Sequence, residues 1–63
     1  MNKYIFDIGI DKRIICITVF ANNFENAKRI AIEVMKNKYN EFTISYVKRI
    51  RYDKTRREYV ETI

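Results

Sequence analysis

Apolar and polar residues alternate near the start of the chain, and this alternation predicts its first strands. Over residues 3–10 every second residue is apolar, which is the period of a β-strand with one face buried. Asp11 and Lys12 suit a tight turn, and the β-branched run Arg13–Ala21 favours a second strand. We therefore expect an antiparallel hairpin, in which the lone Gly9 marks a β-bulge or bend.

The apolar spacing changes after Asn23 to that of an α-helix. Asn23 is a suitable N-cap, because its side-chain oxygen can accept a hydrogen bond from a backbone N–H of the first turn. Glu25 suits the positive end of the helix dipole, and Asn40 can end the helix. The apolar residues that share one helix face are Phe24, Ala27, Ile30, Ala31, Val34 and Met35.

The rest of the chain predicts two more strands, over residues 42–52 and 57–62, joined by a turn at residues 53–56. If the third strand lies beside the first, every pairing is antiparallel and the strand order is 2-1-3-4. The expected fold is a single α+β domain over residues 1–63, with a ββαββ four-stranded antiparallel sheet and one helix packed on one face. The expected core comprises Tyr4, Phe6, Ile8, Ile15, Ile17, Val19, Phe24, Ala27, Ile30, Ala31 and Val34.

A single helix can cover only one face of such a sheet, so the other face must be solvated or contact a partner. If alternate residues of the second strand face the helix, then Ile14, Cys16, Thr18 and Phe20 face outward as a mostly apolar row on an edge strand. Apolar edge strands tend to pair with other chains unless they are covered. Either the C-terminal residues fold over this row, or it is a protein interface or the seam of a homodimer.

The residue inventory argues against catalysis. The chain has no histidine and only one cysteine, so it offers no zinc site and no histidine base to activate Cys16 as a nucleophile. We expect no enzyme activity, no cofactor and no metal, and we expect Cys16 to be a buried, unreactive thiol. No segment is long and apolar enough to span a bilayer, and a single cysteine favours a reducing compartment. We therefore expect a cytoplasmic protein without a membrane partner.

Positive charge is concentrated in residues 48–57, K-R-I-R-Y-D-K-T-R-R, which hold six cations and one acid. The net charge of +5 suits an anionic partner, although it can also serve solubility alone. On a strand Arg49 and Arg51 project side by side, roughly 6.6 Å apart, on the face opposite Lys48 and Tyr52, and can bind phosphates or two carboxylates. The residues expected to bind a partner are Lys48, Arg49, Arg51, Tyr52, Arg56, Arg57, Ile14, Cys16 and Phe20.

Two functions are compatible with these residues. A protein-binding modulator would use the apolar edge together with Arg49 and Arg51. A sheet-based nucleic-acid binder would use the basic residues of the C-terminal hairpin, with tyrosines as stacking surfaces. A third interpretation is structural, because the hairpin arginines can pair with the hairpin's own glutamates in solvent. The surplus of apolar surface favours the first function, and the charge balance favours the second.

A resemblance to a known family adds to the first function. Residues 18–27, T-V-F-A-N-N-F-E-N-A, place a strand that ends in alanine before a cap and a helix, with Ala31 one turn later. Arg49-Ile50-Arg51 places two arginines around one aliphatic residue on the strand after the helix. In these features the chain resembles the small host-takeover inhibitors of phages, such as the host RNA-polymerase inhibitor of T7-like phages.

The resemblance implies a small phage or mobile-element protein that modulates a host protein or nucleoprotein complex. In that family the two arginines contact the host polymerase, so Arg49 and Arg51 would be the corresponding contacts here. This chain has an additional C-terminal hairpin and lacks the family's acidic strip. The target implied is therefore either RNA polymerase or a defence complex such as a CRISPR effector.

Overall fold

The protein, described over residues 1–40 and 43–62 by a computed structural model, forms one antiparallel sheet and one helix. The sheet has the strand order β2-β1-β3-β4, and all three pairings are antiparallel. The predicted α+β fold with strand order 2-1-3-4 is therefore confirmed. In chain order the elements are β1 (Asn2–Ile10), β2 (Arg13–Ala21), α1 (Phe24–Lys38), β3 (Ile44–Asp53) and β4 (Glu58–Glu61).

Local sequence signals account for the element ends. A two-residue turn joins β1 to β2, and its Asp11 has a φ of 53°, a left-handed conformation that aspartate tolerates better than most residues. The Asn23 side chain caps α1 by accepting a hydrogen bond from the Asn26 N–H at 2.8 Å. The helix ends at Lys38, two residues before the predicted stop at Asn40.

The second hairpin also lies close to its predicted position. Strand β3 begins at Ile44, and its predicted first residue, Phe42, lies outside the described residues. The strand continues through Asp53, one residue beyond the predicted end, so the turn is formed by residues 54–57 and β4 begins at Glu58. Asp53 is therefore the last residue of β3, and the turn lies one residue later in the chain than predicted.

The core lies between α1 and the two strands beneath it, β1 and β2. The helix contributes Ala27, Ala31 and Met35, which follow one another at four-residue spacing and so form a single line toward the sheet. Ile15, Ile17 and Ile30 are only partly buried but pack against this core, as predicted. The buried apolar residues of this core are Tyr4, Phe6, Ile8, Ile10, Val19, Ala21, Ala27, Ala31 and Met35.

Two helix residues are more exposed than predicted. Val34 is 40% exposed, so its placement in the core was wrong, whereas its neighbour Met35 is 1% exposed. The buried line is centred on Ala31, and a helix of 3.6 residues per turn puts Val34 about 60° to one side of that line. Phe24 is 38% exposed, because it lies in the first turn and only part of its ring meets the sheet.

Gly9 lies beneath the ring of Tyr46, which faces it from β3. The β1–β3 register shifts between Gly9 and Ile10, with Ser45 as the extra residue in β3. The predicted bulge is therefore confirmed, with the extra residue in the neighbouring strand. A Cβ atom on Gly9 would overlap the Tyr46 ring, with Cζ only 2.7 Å away. The missing side chain thus makes room for the tyrosine.

Candidate partner-binding surfaces

The face of the sheet opposite α1, here called the open face, carries a row of exposed apolar residues on β2. The register places this row on the side away from the helix, as predicted. Ile14 is 66% and Phe20 59% exposed. Strand β4 lies at the other edge of the sheet, beside β3, so the described C-terminal residues do not cover this row. The edge strand that carries it is nine residues long and includes one charged residue, Arg13.

The open face is close to electrically neutral. Strand alternation and register put two cations and two carboxylates on it, namely Lys3, Lys48, Asp7 and Glu61. Lys48 lies 3.8 Å from the Glu61 carboxylate and 5.0 Å from the centre of the Tyr46 ring. An acidic partner therefore meets no net attraction from this face, whereas an apolar partner surface meets exposed isoleucine and aromatic side chains.

Two tyrosines form a second exposed group on the open face. Tyr52 of β3 and Tyr59 of β4 are directly opposite each other, with ring centres 5.3 Å apart in an edge-to-face arrangement. Both rings are about half exposed. The sequence predicts Tyr46, Tyr52 and Tyr59 as candidate stacking surfaces, but it does not show that Tyr52 and Tyr59 are paired, because their pairing depends on the length of the intervening turn.

Arg49 lies on the other side of the sheet and is held by aromatic rings. Its guanidinium carbon is 4.8 Å from the centre of the Tyr4 ring and 5.5 Å from that of Phe24. The Phe24 ring itself packs against Phe6, with ring centres 6.0 Å apart. Contacts of this kind fix the orientation of a guanidinium group. No acidic residue described here forms an ion pair with Arg49, although the residue is half-buried.

Arg51 lies two residues along β3, on the same face as Arg49, and is exposed. Helix α1 packs on β1 and β2, so it leaves this part of β3 and β4 uncovered. The arrangement confirms that Arg49 and Arg51 project together and away from Lys48 and Tyr52.

The remaining cations lie at the tip of the β3–β4 hairpin. Lys54, Arg56 and Arg57 are exposed and form no ion pair within residues 1–40 and 43–62. The carboxylate of Asp53 orders the turn by accepting hydrogen bonds from the backbone N–H groups of Thr55 and Arg56, at 2.9 and 3.2 Å. The alternative in which the hairpin arginines pair with Glu58 or Glu61 is not formed among the described residues, where Glu61 instead pairs with Lys48.

The Asp53 turn makes a testable contribution to stability. We expect Asp53→Ala to lower the free energy of unfolding by about 1 kcal/mol, because two backbone N–H groups lose their acceptor. Asp53→Asn keeps an acceptor oxygen and is expected to cost only a few tenths of that value. Urea denaturation of the two variants provides the comparison, and equal losses would show that the negative charge, and not the hydrogen bonding, stabilises the turn.

Cys16 occupies an exposed position on the open face, so the predicted burial of this thiol was wrong. The cause is the placement of α1, which covers the other face of β2. Partial removal from water raises the pKa of the Cys16 thiol, and the negative charge and hydrogen bonding of Asp7, directly opposite on β1, raise that pKa further. The thiol is therefore protonated near neutral pH, and this limits its reactivity.

The effect of Asp7 on the thiol can be measured by alkylation. We expect the rate of reaction of Cys16 with iodoacetamide to rise with pH, around a midpoint above that of an ordinary cysteine. Asp7→Asn removes the repulsive charge, so the thiolate forms at lower pH and alkylation at about pH 8 becomes faster. An unchanged midpoint in the variant would exclude Asp7 as a cause.

The nine residues predicted to bind a partner are divided among three surfaces. The open face carries Ile14, Cys16, Phe20, Lys48 and Tyr52; the helix side of β3 carries Arg49 and Arg51; and the hairpin tip carries Arg56 and Arg57.

A search of the described residues for a membrane span or a metal site, and comparison of the chain with known proteins, assign no function to it. Within residues 1–40 and 43–62, no helix is both long and apolar enough to cross a bilayer. The same residues contain no group of three or more His, Cys, Asp or Glu side chains suited to a metal ion. Searches against protein-family models, curated proteins and solved structures find no match to this chain.

Proposed function

We propose that this protein is a non-catalytic binding protein that modulates a host protein or nucleoprotein complex, and that its open face is the main interface. The observation that carries the proposal is the exposure of Ile14 and Phe20 on an uncovered edge strand. Exposed apolar groups of this kind on small proteins mark interaction sites. The resemblance of residues 18–27 and of Arg49-Ile50-Arg51 to phage host-takeover inhibitors supplies the cytoplasmic host setting.

The distribution of charge favours a protein over a nucleic acid on this face. A nucleic-acid-binding sheet combines stacking rings with cations that follow the phosphate backbone. Here the rings of Tyr52 and Tyr59 pack against each other, and the two cations of the face are matched by two carboxylates. The surface therefore offers aromatic and aliphatic contact area without a track of positive charge.

Nucleic-acid binding is the second candidate, because the exposed cations at the hairpin tip have no ion pairs within the described residues. If the tip binds duplex DNA, the logarithm of the affinity should fall steeply with the logarithm of the salt concentration. Arg56→Ala and Arg57→Ala should each make this slope shallower by nearly one unit, because each variant loses one phosphate contact. Binding to random DNA or RNA that depends equally on Arg49, Arg51, Arg56 and Arg57 would favour this function over the proposal.

The proposed function is tested by capture of partners from host lysate, with and without nuclease. We expect a protein partner to remain bound after nuclease treatment, and Phe20→Ser to weaken its binding by about 2 kcal/mol or more, as for an interface hot spot. Val34→Ser is the matched control, because it removes an exposed apolar side chain from the helix instead of the open face. Equal weakening by the two variants, or loss of all partners with nuclease, would contradict the proposal.

The same edge could pair two copies of the chain, and light scattering separates this outcome from binding to a host partner. A homodimer through β2 should dissociate in Phe20→Ser and should leave less of the open face available to another protein. A monomer at high concentration that still binds its partner through Phe20 would assign the surface to the host protein alone.

A further inference from the structure

The outer edge of β2 pairs with no other strand of the described residues, although β2 is nine residues long and pairs with β1 in an uninterrupted register. Edge strands of soluble proteins are usually short, bulged or protected by charges or proline, because their free N–H and C=O groups pair readily with other strands. We propose that β2 pairs antiparallel with β2 of a second copy of this chain. The proposal goes beyond the proposed function, since it concerns the backbone edge of β2, whereas the host partner is assigned to the open face.

The β1–β2 turn determines which backbone groups of β2 point outward. Ile10 and Arg13 flank this two-residue turn, and the residues that flank such a turn form a hydrogen-bonded pair. Hydrogen-bonded and non-hydrogen-bonded pairs alternate along an antiparallel ladder, so odd-numbered residues of β2 direct their N–H and C=O groups toward β1. The even-numbered residues direct theirs outward, and these are the residues of the apolar row, Ile14, Cys16, Thr18 and Phe20.

The sequence of β2 is complementary to itself in one antiparallel register. Full overlap of the nine residues puts a two-fold axis at Ile17 and pairs outward-directed residues with each other. On the open face Ile14 then lies opposite Phe20 of the second copy, and the smaller Cys16 lies opposite Thr18. A β-branched side chain beside an aromatic ring is a favourable cross-strand pair. The register therefore matches bulky residues with bulky ones and small residues with small ones.

The helix side of the same seam is also apolar. There Ile17 lies opposite its own copy, and Ile15 lies opposite Val19 of the second copy. Ile15 and Ile17 are only partly buried beneath α1, so part of each side chain remains available for these contacts. The pairing joins two four-stranded sheets into one, with both helices on one side and both open faces on the other.

The distribution of charge allows two copies, each with a net charge of +5, to meet at this edge. The cationic residues 48–57 belong to β3 and the turn after it, and β1 separates β3 from β2. In the dimer the two copies of β3 are about 24 Å apart, from five strand spacings of about 4.8 Å, which exceeds the Debye length of about 8 Å at physiological salt. The one charged residue of β2, Arg13, lies opposite Ala21 of the second copy. The seam therefore favours an uncharged strand, and a second β2 provides one.

The proposal is tested by sedimentation equilibrium of the full chain over a range of protein concentrations. We expect a reversible dimer with twice the mass of one chain. Thr18→Pro removes an N–H that points outward, a position at which edge strands tolerate proline, so the variant should remain folded while its dimer dissociation constant rises at least about tenfold. Thr18→Val is the matched control, because it keeps the N–H and a β-branched side chain, and it should dimerise like the unmodified chain.

The register is tested by disulfide crosslinking with oxidised glutathione as the oxidant. In Thr18→Cys the introduced thiol lies opposite Cys16 of the second copy, with Cα atoms about 5.5 Å apart, a separation that a disulfide spans. We therefore expect a covalent dimer on a non-reducing gel. The unmodified chain should not be crosslinked, because Cys16 is two residues out of register with its own copy. Thr55→Cys makes the same substitution at the exposed hairpin tip and should also remain a single chain.

Several results would overturn the proposal. These are the mass of a single chain at about 1 mM protein, unchanged dimerisation in a folded Thr18→Pro variant, equal loss of the dimer in Thr18→Val, or crosslinking of Thr18→Cys no faster than that of Thr55→Cys. If circular dichroism shows that Thr18→Pro is unfolded, the crosslinking comparison decides.

The dimer and the proposed function can fail independently of each other. A monomeric chain that still captures a host protein through Phe20 would retain the open-face interface and exclude the dimer. A dimer whose captured partners are all removed by nuclease would retain the β2 seam and exclude the proposed function.

Discussion

Replacing Met35 by aspartate is expected to unfold the protein, whereas the same change at the adjacent Val34 is expected to leave it folded. Met35 is 1% exposed and lies on the line of helix residues that faces the sheet, but Val34 is 40% exposed. Loss of a buried methionine costs about 2–5 kcal/mol before any charge is buried. A core of this size supplies roughly 3–5 kcal/mol in total, so an unpaired carboxylate at Met35 exceeds what the fold can tolerate.

The pair of variants is closely matched. Both aspartates lie in the second half of α1, so both carry the same low helix propensity and a similar unfavourable position relative to the helix dipole. The difference between their thermal melts, followed by circular dichroism, therefore reports burial. A cooperative melt in Met35→Asp, or loss of the melt in both variants, would show that the helix is rotated differently on the sheet.

The different burial of Val34 and Met35 also shows which property of the helix the sequence did not predict, namely its rotation on the sheet. Apolar spacing identified the helix and the residues of its broad apolar side, and Asn23 marked its start. The rotation of the helix about its axis depends on which of its side chains allow the closest approach to the sheet. The small side chains of Ala27 and Ala31 allow a close approach, so these two alanines lie at the centre of the contact. A spacing pattern alone gives these alanines no more weight than Val34, so it placed the wrong residue in the core.

Placing a methyl group at Gly9 is expected to destabilise the protein by about 1–3 kcal/mol, the usual cost of overpacking. The methyl carbon would overlap the Tyr46 ring, which must then leave its position over β1. In the Tyr46→Ala background the sign should reverse. There Gly9→Ala is expected to stabilise by about 0.4–1 kcal/mol, because alanine loses less backbone entropy on folding and the φ of Gly9 is not positive.

The two substitutions form a double-mutant cycle that urea denaturation can measure. We expect a coupling energy of at least about 1 kcal/mol between positions 9 and 46, the range found for residues in direct contact. Additive effects would mean that the ring swings away at no cost and that the glycine has another role. Lys48 is a suitable control position, because Lys48→Ala removes the cation from the outer side of the same ring without opening space over Gly9.

The candidate sites were only partly accessible from the sequence. Strand alternation correctly separated Arg49 and Arg51 from Lys48 and Tyr52, because side-chain direction follows residue parity along one strand. The contact between Arg49 and Phe24 was missed, since it depends on where the first turn of the helix meets a strand 25 positions further along the chain. Parity also placed Cys16 on the outward face of β2, whereas its expected burial rested on residue type and an apolar strand, which do not determine whether a side chain is covered.

Strand β4 is held less firmly than the rest of the sheet. It has four residues, pairs only with β3 and lies outside the part of the sheet that α1 covers, whereas β1 is paired on both sides beneath the helix. Opening of β4 alone would break one ladder and leave the core intact, so its amide hydrogens should exchange through local fluctuations instead of global unfolding. Thr62 continues this pairing beyond β4, because its N–H donates to the Arg49 carbonyl oxygen at 2.8 Å, so opening of the β3–β4 ladder would be expected to release this hydrogen bond as well.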